Sequence, residues 1–216
     1  MLTKNRRGPW RKAVLIGALL VAPALSAESR SPKSQSKQWR VAGQNLDNSR
    51  SQPKEHSINA ANVNGLRQEW VFTTGGDVSA TPTVDGDAVY FPDWGGNLFA
   101  VERKNGRLIW SHQISEYNGV AGSISRVSPA LDGDQVIIGD ILSSNQIHDG
   151  ANVIAVDRKS GKRRWITQVD SHPSAIITGS PAVFDGVVYL GVALIMTTAG
   201  GRGFVMSYLR PWRSGG

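Results

Sequence analysis

An internal repeat constrains the fold of this 216-residue chain more than any other feature of its sequence. One unit covers residues 79–110, a second covers 127–165, and a third begins at Gly179 and loses the pattern after about Gly191. Each unit opens with Ser or Thr followed by proline and continues to an Asp-Gly pair; the opening prolines are Pro82, Pro129 and Pro181. Successive opening prolines are 47 and 52 residues apart.

Each unit has the pattern of a four-stranded antiparallel meander. Asp-Gly provides the positive φ angles of a two-residue hairpin turn, and the runs beside it, AVYF at 88–91 and QVIIG at 135–139, are short and β-rich. A period of about 40–50 residues with four strands per unit is typical of a β-propeller. The sequence therefore predicts an all-β fold, a β-propeller of four-stranded antiparallel blades in an incomplete ring of under three blades. Residues 66–73 are predicted to be the outer strand of a further blade, and a β-sandwich with accidental self-similarity is the alternative.

The two complete units also share the spacing Ala-Val-acid-x-x-x-Gly-x-x-x-Trp, at 100–110 and 155–165. This spacing resembles the tryptophan-docking repeat of PQQ-type quinoprotein propellers, in which the Trp of one blade packs against the next. We therefore expect Trp110 and Trp165 to be buried over a neighbouring blade. Further stretches are similar to polyvinyl-alcohol dehydrogenase-type quinoproteins; they are residues 39–66, 70–84, 89–101 and 125–131.

This resemblance implies a function as well as a fold. It implies an eight-bladed ring with calcium-bound PQQ on its axis. The corresponding activity is the oxidation of an alcohol substrate to a carbonyl, with electrons passed to a cytochrome-type acceptor. Such a site needs oxygen ligands for calcium and cationic or polar groups for the carboxylates of PQQ.

Candidate site residues lie in and before an insert that the first unit lacks. The insert is DILSSNQIHDG at 140–150, and an insertion at one place in a repeat protein often marks a functional face. By resemblance, Asp140 and Asp149 are the candidate metal ligands, and Arg126, Ser143, Ser144 and Asn145 are the candidate PQQ contacts. The insert contains no Glu, unlike the loops of related alcohol dehydrogenases, and a solvated surface loop is the alternative. No catalytic base is assigned. Trp94 is interpreted either as a wall of the cofactor funnel or as an exposed turn residue.

Charge and cysteine content exclude several other classes of function. The net charge is +7, but residues 1–27 and 194–216 carry five and three uncompensated cations, which leaves the segment between them slightly acidic. A nucleic-acid binder needs a basic patch on its folded body, so no nucleic-acid partner is expected. The chain has no Cys, and this rules out disulfides, thiolate zinc sites and lipid-modified cysteines.

The ends of the chain differ from the repeats. Residues 1–27 combine a basic start with an apolar run at 13–25 and predict a cleaved signal peptide, hence a periplasmic or secreted product with no membrane span after cleavage. An uncleaved anchor is the alternative. Residues 28–38 are a predicted flexible linker, 39–193 the partial propeller, and 194–216 a non-repeat tail that resembles out-of-frame translation.

The short repeat array leaves three functional interpretations open. The chain is interpreted as a fragment of a periplasmic PQQ-dependent alcohol dehydrogenase, as a non-catalytic PQQ-repeat scaffold of the kind that helps outer-membrane assembly, or as an inert truncated product. Under the first interpretation, we expect the chain alone neither to retain PQQ tightly nor to oxidise alcohols, because several blades together hold a cofactor on a propeller axis.

Overall fold

Three four-stranded antiparallel sheets dominate the computed structural model, which describes residues 38–142, 150–197 and 203–213. All described residues belong to one compact unit, Ser31–Gly216. The strands are β1 (Thr83–Asp85), β2 (Ala88–Pro92), β3 (Asn97–Glu102), β4 (Leu108–Gln113), β5 (Ser123–Ile124), β6 (Ala130–Asp132), β7 (Gln135–Gly139), β8 (Ile141–Leu142), β9 (Ala151–Asp157), β10 (Arg163–Asp170), β11 (Ala175–Ile176), β12 (Ala182–Phe184), β13 (Val187–Thr197) and β14 (Gly203–Arg213). A 3-10 turn covers Val63–Gly65, and helix α1 covers Ile114–Asn118.

Each of the first two sheets is a simple meander. The first has the order β1-β2-β3-β4 and the second the order β6-β7-β9-β10. A two-stranded sheet, β5-β8, adjoins the second where the chain passes Asp140 between β7 and β8. The third sheet is built on β13, which pairs with β11, β12 and β14. The predicted all-β fold of four-stranded antiparallel blades is confirmed, and the described strands form no closed ring.

Two parts of the chain differ from the sequence prediction in their strands. Residues 66–73 were predicted to be an outer strand, and this is wrong, since no strand is assigned there. Instead Phe72 packs edge-on against Phe91 and Phe99, with ring centroids 5.9 and 5.3 Å away. Residues 203–213, which the sequence placed in a non-repeat tail, form β14 and pair with β13 along its whole length. Backbone pairing of this kind needs no repeat motif, which explains why the motif did not reveal it.

The hairpin turns also differ from the prediction in two of the three units. In the first unit Asp85 is the last residue of β1 and pairs with Ala88, so the two central residues of the turn are Gly86 and Asp87 rather than Asp85 and Gly86. Gly86 has a positive φ of 63°. A glycine at the first central position is typical of a type II′ turn. The second unit turns at Gly133-Asp134 in the same way. Only the third unit uses Asp-Gly itself, with φ of 49° at Asp185 and 69° at Gly186.

Tryptophan docking joins the first and second sheets. The indole N–H of Trp110 donates to the carbonyl oxygen of Arg158 at 3.0 Å, and the ring lies over Gly161, where an added Cβ would meet Trp110 Cε3 at 2.7 Å. Tyr117 of α1 donates its hydroxyl to the Gly161 carbonyl at 2.8 Å, and burial raises the pKa of that phenol, which keeps the donor protonated. Trp110 is 7% exposed, so its predicted burial over the next blade is confirmed.

Two other tryptophans show what this joint requires. Trp70, in the segment before the first sheet, makes the same contact, because its indole donates to the Arg103 carbonyl at 2.9 Å and lies over Gly106. Trp165 is only half-buried, and its indole donates to Gln135 within its own sheet at 2.6 Å. The hydrogen bond of Trp165 thus lies within its own sheet, and its docking on a neighbouring blade stays a prediction. The third unit lacks the acid-x-x-x-Gly turn that would receive the ring.

The segment before the first blade also connects two sheets. Trp39 and Val84 exchange backbone hydrogen bonds of 2.7 and 2.8 Å, and the Arg40 carbonyl accepts from the Leu131 N–H at 3.0 Å. Buried Asp85 contacts Arg158 at 2.7 Å and Arg40 at 3.5 Å. The first strands of the first two sheets are thus held side by side by backbone and ionic contacts.

Candidate functional site

An exposed arginine lies over an exposed tryptophan on one face of the molecule. The guanidinium carbon of Arg126 is 4.6 Å from the ring centroid of Trp94, and the Trp94 indole donates to Ser79 Oγ at 2.9 Å. Trp94 is 40% exposed. From the sequence, Trp94 was interpreted either as a wall of the cofactor funnel or as an exposed turn residue. The structure places it beneath Arg126, the arginine predicted to contact PQQ.

The turn that presents Trp94 is fixed by the neighbouring carboxylate. Asp93 is completely buried at the end of β2. Its oxygens accept from the Gly76 N–H at 3.1 Å and from the backbone and side-chain amides of Asn97 at 2.8 and 3.2 Å. Charge-assisted hydrogen bonds of this kind are stronger than neutral ones, so this turn has little freedom. Trp94 is therefore held by the fold and not only by its contact with Arg126.

Arg126 is positioned by the residues on either side of it. Ser125 is buried and donates its hydroxyl to the Gly139 carbonyl at 2.7 Å, and Val127 is fully buried. The alternation of buried and exposed residues directs Arg126 to solvent. Arg126 stands two residues before the Ser-Pro pair of its unit, and the same position is occupied by Ser79 in the first unit and Thr178 in the third, both exposed.

This equivalence adds two site candidates that the sequence analysis missed. Ser79 and Thr178 occupy the repeat position of the predicted candidate Arg126 in the neighbouring blades, so all three belong to one face of the blade array. Aligning the units on their hydroxyl-Pro pairs would have revealed Ser79 and Thr178.

The candidate metal ligand Asp140 is embedded in hydrogen bonds. It is 2% exposed, and its oxygens accept from the Asn152 backbone N–H at 2.6 Å, the Asn152 amide at 2.8 Å and the Asn118 amide at 2.9 Å. Asp140 has the same role as Asp93, which belongs to the preceding blade. Each aspartate follows the second strand of its unit and accepts hydrogen bonds from an Asn of the third strand. The role of Asp140 as a metal ligand stays a prediction.

The rest of the insert cannot be compared in the same way. Ser143, Ser144, Asn145 and Asp149 lie outside the described residues. Among the described residues there is no group of three or more His, Cys, Asp or Glu side chains that could hold a metal ion. Over the same residues, no helix combines the length and the apolarity needed to cross a membrane.

These features define the class of protein. Successive four-stranded antiparallel sheets, joined by a Trp that lies over the Gly of an acid-x-x-x-Gly turn, are blades of a PQQ-type β-propeller. A comparison with protein families agrees: the PQQ_2 family, described as outer membrane protein assembly factor BamB, matches residues 52–194. The chain belongs to this PQQ-repeat family.

Two individual relatives are named as alcohol-oxidising dehydrogenases. A polyvinylalcohol dehydrogenase of a Pseudomonas species is 24% identical over 156 residues, which are 72% of this chain and 23% of the relative. A quinohemoprotein alcohol dehydrogenase of Comamonas testosteroni is 32% identical over 171 residues, which are 72% of this chain and 22% of the relative. The chain thus spans less than a quarter of the length of these relatives.

Solved structures of dehydrogenases also superpose on this chain. The crystal structure of a quinohemoprotein alcohol dehydrogenase from Comamonas testosteroni superposes with a TM-score of 0.58 and 27% identity, over 83% of this chain and 26% of the other. A europium-containing methanol dehydrogenase superposes with a TM-score of 0.59 and 26% identity, over 82% of this chain and 31% of the other.

The described residues fit one half of the cofactor chemistry that the family implies. PQQ is a planar, aromatic polyacid, and an exposed guanidinium stacked on an exposed indole offers both a cation and an aromatic face to such a group. In this structure the carboxylates of Asp93 and Asp140 are buried and accept hydrogen bonds from amide donors, so the described residues show no assembled metal site. Among the described residues, the contacts suited to this cofactor are therefore those for its organic part.

Proposed function

We propose that this chain forms part of a periplasmic PQQ-dependent alcohol dehydrogenase of the polyvinyl-alcohol type. The observation that carries this proposal is the Arg126–Trp94 pair, held on one face of a PQQ-type blade array. The alcohol is oxidised to a carbonyl, and a cytochrome-type protein accepts the electrons. The activities for which the relatives are named support the reaction class, and the predicted signal peptide supports the location.

The chain's own residues bind and orient the cofactor in this proposal. Arg126 pairs with a carboxylate of PQQ, and its position over Trp94 restricts the directions from which that carboxylate approaches. Trp94 shields one side of the planar group from water, while Ser79 fixes the indole through its 2.9 Å hydrogen bond. When bound, PQQ supplies an o-quinone that accepts two electrons and two protons from an alcohol.

The insert completes the proposed site. Ser143, Ser144 and Asn145 are proposed polar contacts of PQQ, and Asp140 and Asp149 are proposed ligands of calcium. For Asp140 this requires the Asn152 and Asn118 amides to release the carboxylate, since both of its oxygens accept hydrogen bonds from them. Calcium takes about 6–8 oxygen ligands, so further donors would have to come from PQQ and other blades. Weak retention of PQQ and no turnover by the 216-residue chain alone follow from this.

Fluorescence titration of the purified chain with PQQ, with and without calcium, tests the cofactor assignment. We expect weak, saturable quenching of Trp emission, because Trp94 lies at the proposed contact. Arg126→Ala should weaken binding by about tenfold or more, the range for loss of a charge-assisted hydrogen bond, and Arg126→Lys should recover part of the loss. Arg107→Ala removes an exposed arginine from the turn after β3 and is the matched control. Equal affinity of Arg126→Ala and the parent chain would contradict the proposal.

Activity is tested separately by dye-linked oxidation of primary, secondary and polymeric alcohols in the presence of PQQ and calcium. We expect no turnover by this chain alone. Calcium-dependent turnover would contradict that expectation and would make the insert a complete site; loss of such turnover in Asp140→Ala would identify the ligand.

Sequencing the N-terminus of the periplasmic product tests the location, and an intact Met1 on a cytoplasmic protein would contradict it.

A non-catalytic scaffold is the second candidate function. The matching family model carries the description of an outer-membrane assembly factor, and this description favours it. A scaffold predicts that PQQ produces no saturable quenching and that the chain instead copurifies with outer-membrane assembly proteins. An inert product predicts neither result.

A further inference from the structure

The turns that precede the outer strands β4 and β10 are strongly basic. Residues 102–109 and 157–164 contain eight Lys or Arg side chains, and their only carboxylates are Glu102 and Asp157. Successive strands of a meander run in opposite directions, so these turns lie at one end of their blades and the β2–β3 turn of Trp94 lies at the other. We call residues 102–109 and 157–164 the outer-turn surface.

The outer-turn surface is continuous across the joint between the first two blades. The Trp110 indole donates to the Arg158 carbonyl at 3.0 Å, and a ring nitrogen of His112 lies 3.2 Å from the Ser160 carbonyl oxygen. The turn between β9 and β10 therefore lies against β4, the strand that follows the other basic turn. Two turns from different blades thus contribute to one surface.

The arginines and the lysines of this surface differ in their partners. Both carboxylates of the surface pair with an arginine, and three more carboxylates from nearby strands and turns do the same. The ion pairs are Asp85–Arg158, Asp87–Arg103, Glu102–Arg107, Asp134–Arg164 and Asp157–Arg164. Lys104, Lys159 and Lys162 are exposed, and no carboxylate among the described residues pairs with any of them. Their three charges are therefore open to an external anionic group.

Exposed aliphatic side chains lie in the same surface. Leu108 and Ile109 are 47% and 45% exposed, although successive residues of a strand normally point to opposite faces. A β-bulge permits this, because Leu108 pairs with Val101 and Trp110 with Ala100, which leaves no residue of β3 opposite Ile109. The bulge therefore presents two aliphatic side chains to solvent directly after a basic turn.

This combination of residues favours a lipid surface over a protein partner. The cores of protein interfaces are enriched in aromatic residues and depleted in Lys, whereas lysines beside exposed aliphatic chains suit the boundary between anionic headgroups and acyl chains. We propose that the outer-turn surface docks on an anionic phospholipid membrane. The three unpaired lysines contact lipid phosphates, and Leu108 and Ile109 enter the interface. The face proposed for the cofactor then points away from the membrane.

A fluorescent probe at a single cysteine tests this proposal on the full chain, which has no cysteine of its own. Ile109→Cys, labelled with an environment-sensitive dye, reports contact at the outer-turn surface. We expect its emission to shift to the blue with vesicles of phosphatidylcholine and phosphatidylglycerol but not with phosphatidylcholine alone, and salt should weaken the response. The dye senses only its own surroundings, so vesicle binding through residues 1–27 would not shift it.

Val78→Cys is the matched control for the position of the probe. Val78 is 42% exposed and follows Asp77, whose carbonyl accepts from the Trp94 N–H at 2.9 Å. The same dye at this residue therefore lies at the opposite end of the blade, and its emission should not change. An equal blue shift at both positions would overturn the proposal, and so would the absence of any shift at Ile109→Cys.

Neutral lysine variants test the role of charge in the Ile109→Cys chain. Lys104→Gln, Lys159→Gln and Lys162→Gln together should lower the affinity for the anionic vesicles about a hundredfold, or about fivefold for each lysine. Arg67→Gln removes an exposed cation outside the surface and is the control for each single variant. Unchanged affinity of the triple variant would overturn the proposal. A dye response to polyglutamate but not to vesicles would also overturn it and would assign the surface to an acidic protein.

Discussion

The backbone N–H of Thr81 donates a 2.8 Å hydrogen bond to Oγ of Ser128, a residue of the next blade. The relationship repeats one blade later, where the Ser128 N–H donates to Ser180 Oγ at 3.0 Å. The hydroxyls that open the second and third units therefore each accept a hydrogen bond from the opening residue of the unit before. This gives the Ser before proline a structural role in these two units and makes both serines part of the joint between blades.

Removal of the Ser128 hydroxyl should weaken the joint between the first two blades. Ser128→Ala leaves the Thr81 N–H without its acceptor beside a side chain that is 5% exposed, so we expect the free energy of unfolding to fall by about 1–3 kcal/mol. Ser128→Thr keeps a hydroxyl at this position, as Thr81 does in the first unit, and should lower the free energy of unfolding by less. Urea titrations of the three proteins measure this, and equal stability of Ser128→Ala and the parent would show that the hydroxyl plays no such role.

The two repeat tryptophans should differ in their contribution to stability. Trp110 is buried over the second blade, so Trp110→Ala should cost about 3–5 kcal/mol of unfolding free energy. Trp165 is half-buried and bound within its own sheet, so Trp165→Ala should cost under about 2 kcal/mol. Denaturant midpoints of the two variants measure the difference. A larger loss for Trp165→Ala would mean that this residue, too, docks on a neighbouring blade.

A pair of glycine substitutions should test the packing of Trp110 and His112 over Gly161. Gly161 has a φ of 70°, and an added Cβ would meet His112 Cδ2 at 2.5 Å and the Trp110 ring at 2.7 Å. Gly133 has a φ of 53°, but an added Cβ there would meet nothing within 4 Å. Gly133→Ala should therefore cost only the backbone strain of the left-handed conformation, about 1–2 kcal/mol. Gly161→Ala should cost this strain and, in addition, displace the rings of Trp110 and His112. Similar losses for the two variants would refute the docking explanation for this glycine.

The repeat allowed the blades and the Trp110 joint to be predicted, because a hydrophobic period and a fixed Gly-to-Trp spacing are local properties of the sequence. The role of Asp93 could not be predicted in this way, because its donors at Gly76 and Asn97 come from two different segments. The Arg126–Trp94 contact was missed for a similar reason, since its partners lie in different units. Residues 66–73 have the composition of a strand, but a strand is assigned only where a pairing partner exists.

The turn between β9 and β10 contains a carboxylate whose charged form the fold stabilises. Arg164 donates to Asp157 at 2.6 Å, and the Ser160 hydroxyl and the Ser160 and Lys159 N–H groups add bonds of 2.9, 2.9 and 3.0 Å. The hydrogen bond from Arg164 is the main reason that the pKa of Asp157 lies far below its usual range. Arg164 also pairs at 2.5 Å with Asp134, in the turn between β6 and β7. Asp157 therefore belongs to a small charge network with Arg164 and Asp134.

Acid should remove the stability that this network provides. Because the pKa of Asp157 is lower in the folded than in the unfolded chain, its contribution is complete above the unfolded value of about 3.9 and is lost as pH falls toward the folded value. Asp157→Asn should therefore destabilise the protein at neutral pH and flatten the loss of stability below about pH 4. Asp87→Asn is the control. That side chain is fully exposed and forms a surface ion pair of 3.4 Å with Arg103, a kind of contact that contributes little to stability. The stability of Asp87→Asn should therefore vary with pH as that of the parent chain does. Urea midpoints measured from pH 7 down to pH 3 provide the comparison, and parallel profiles for Asp157→Asn and the parent chain would rule out the stabilising role assigned to this carboxylate.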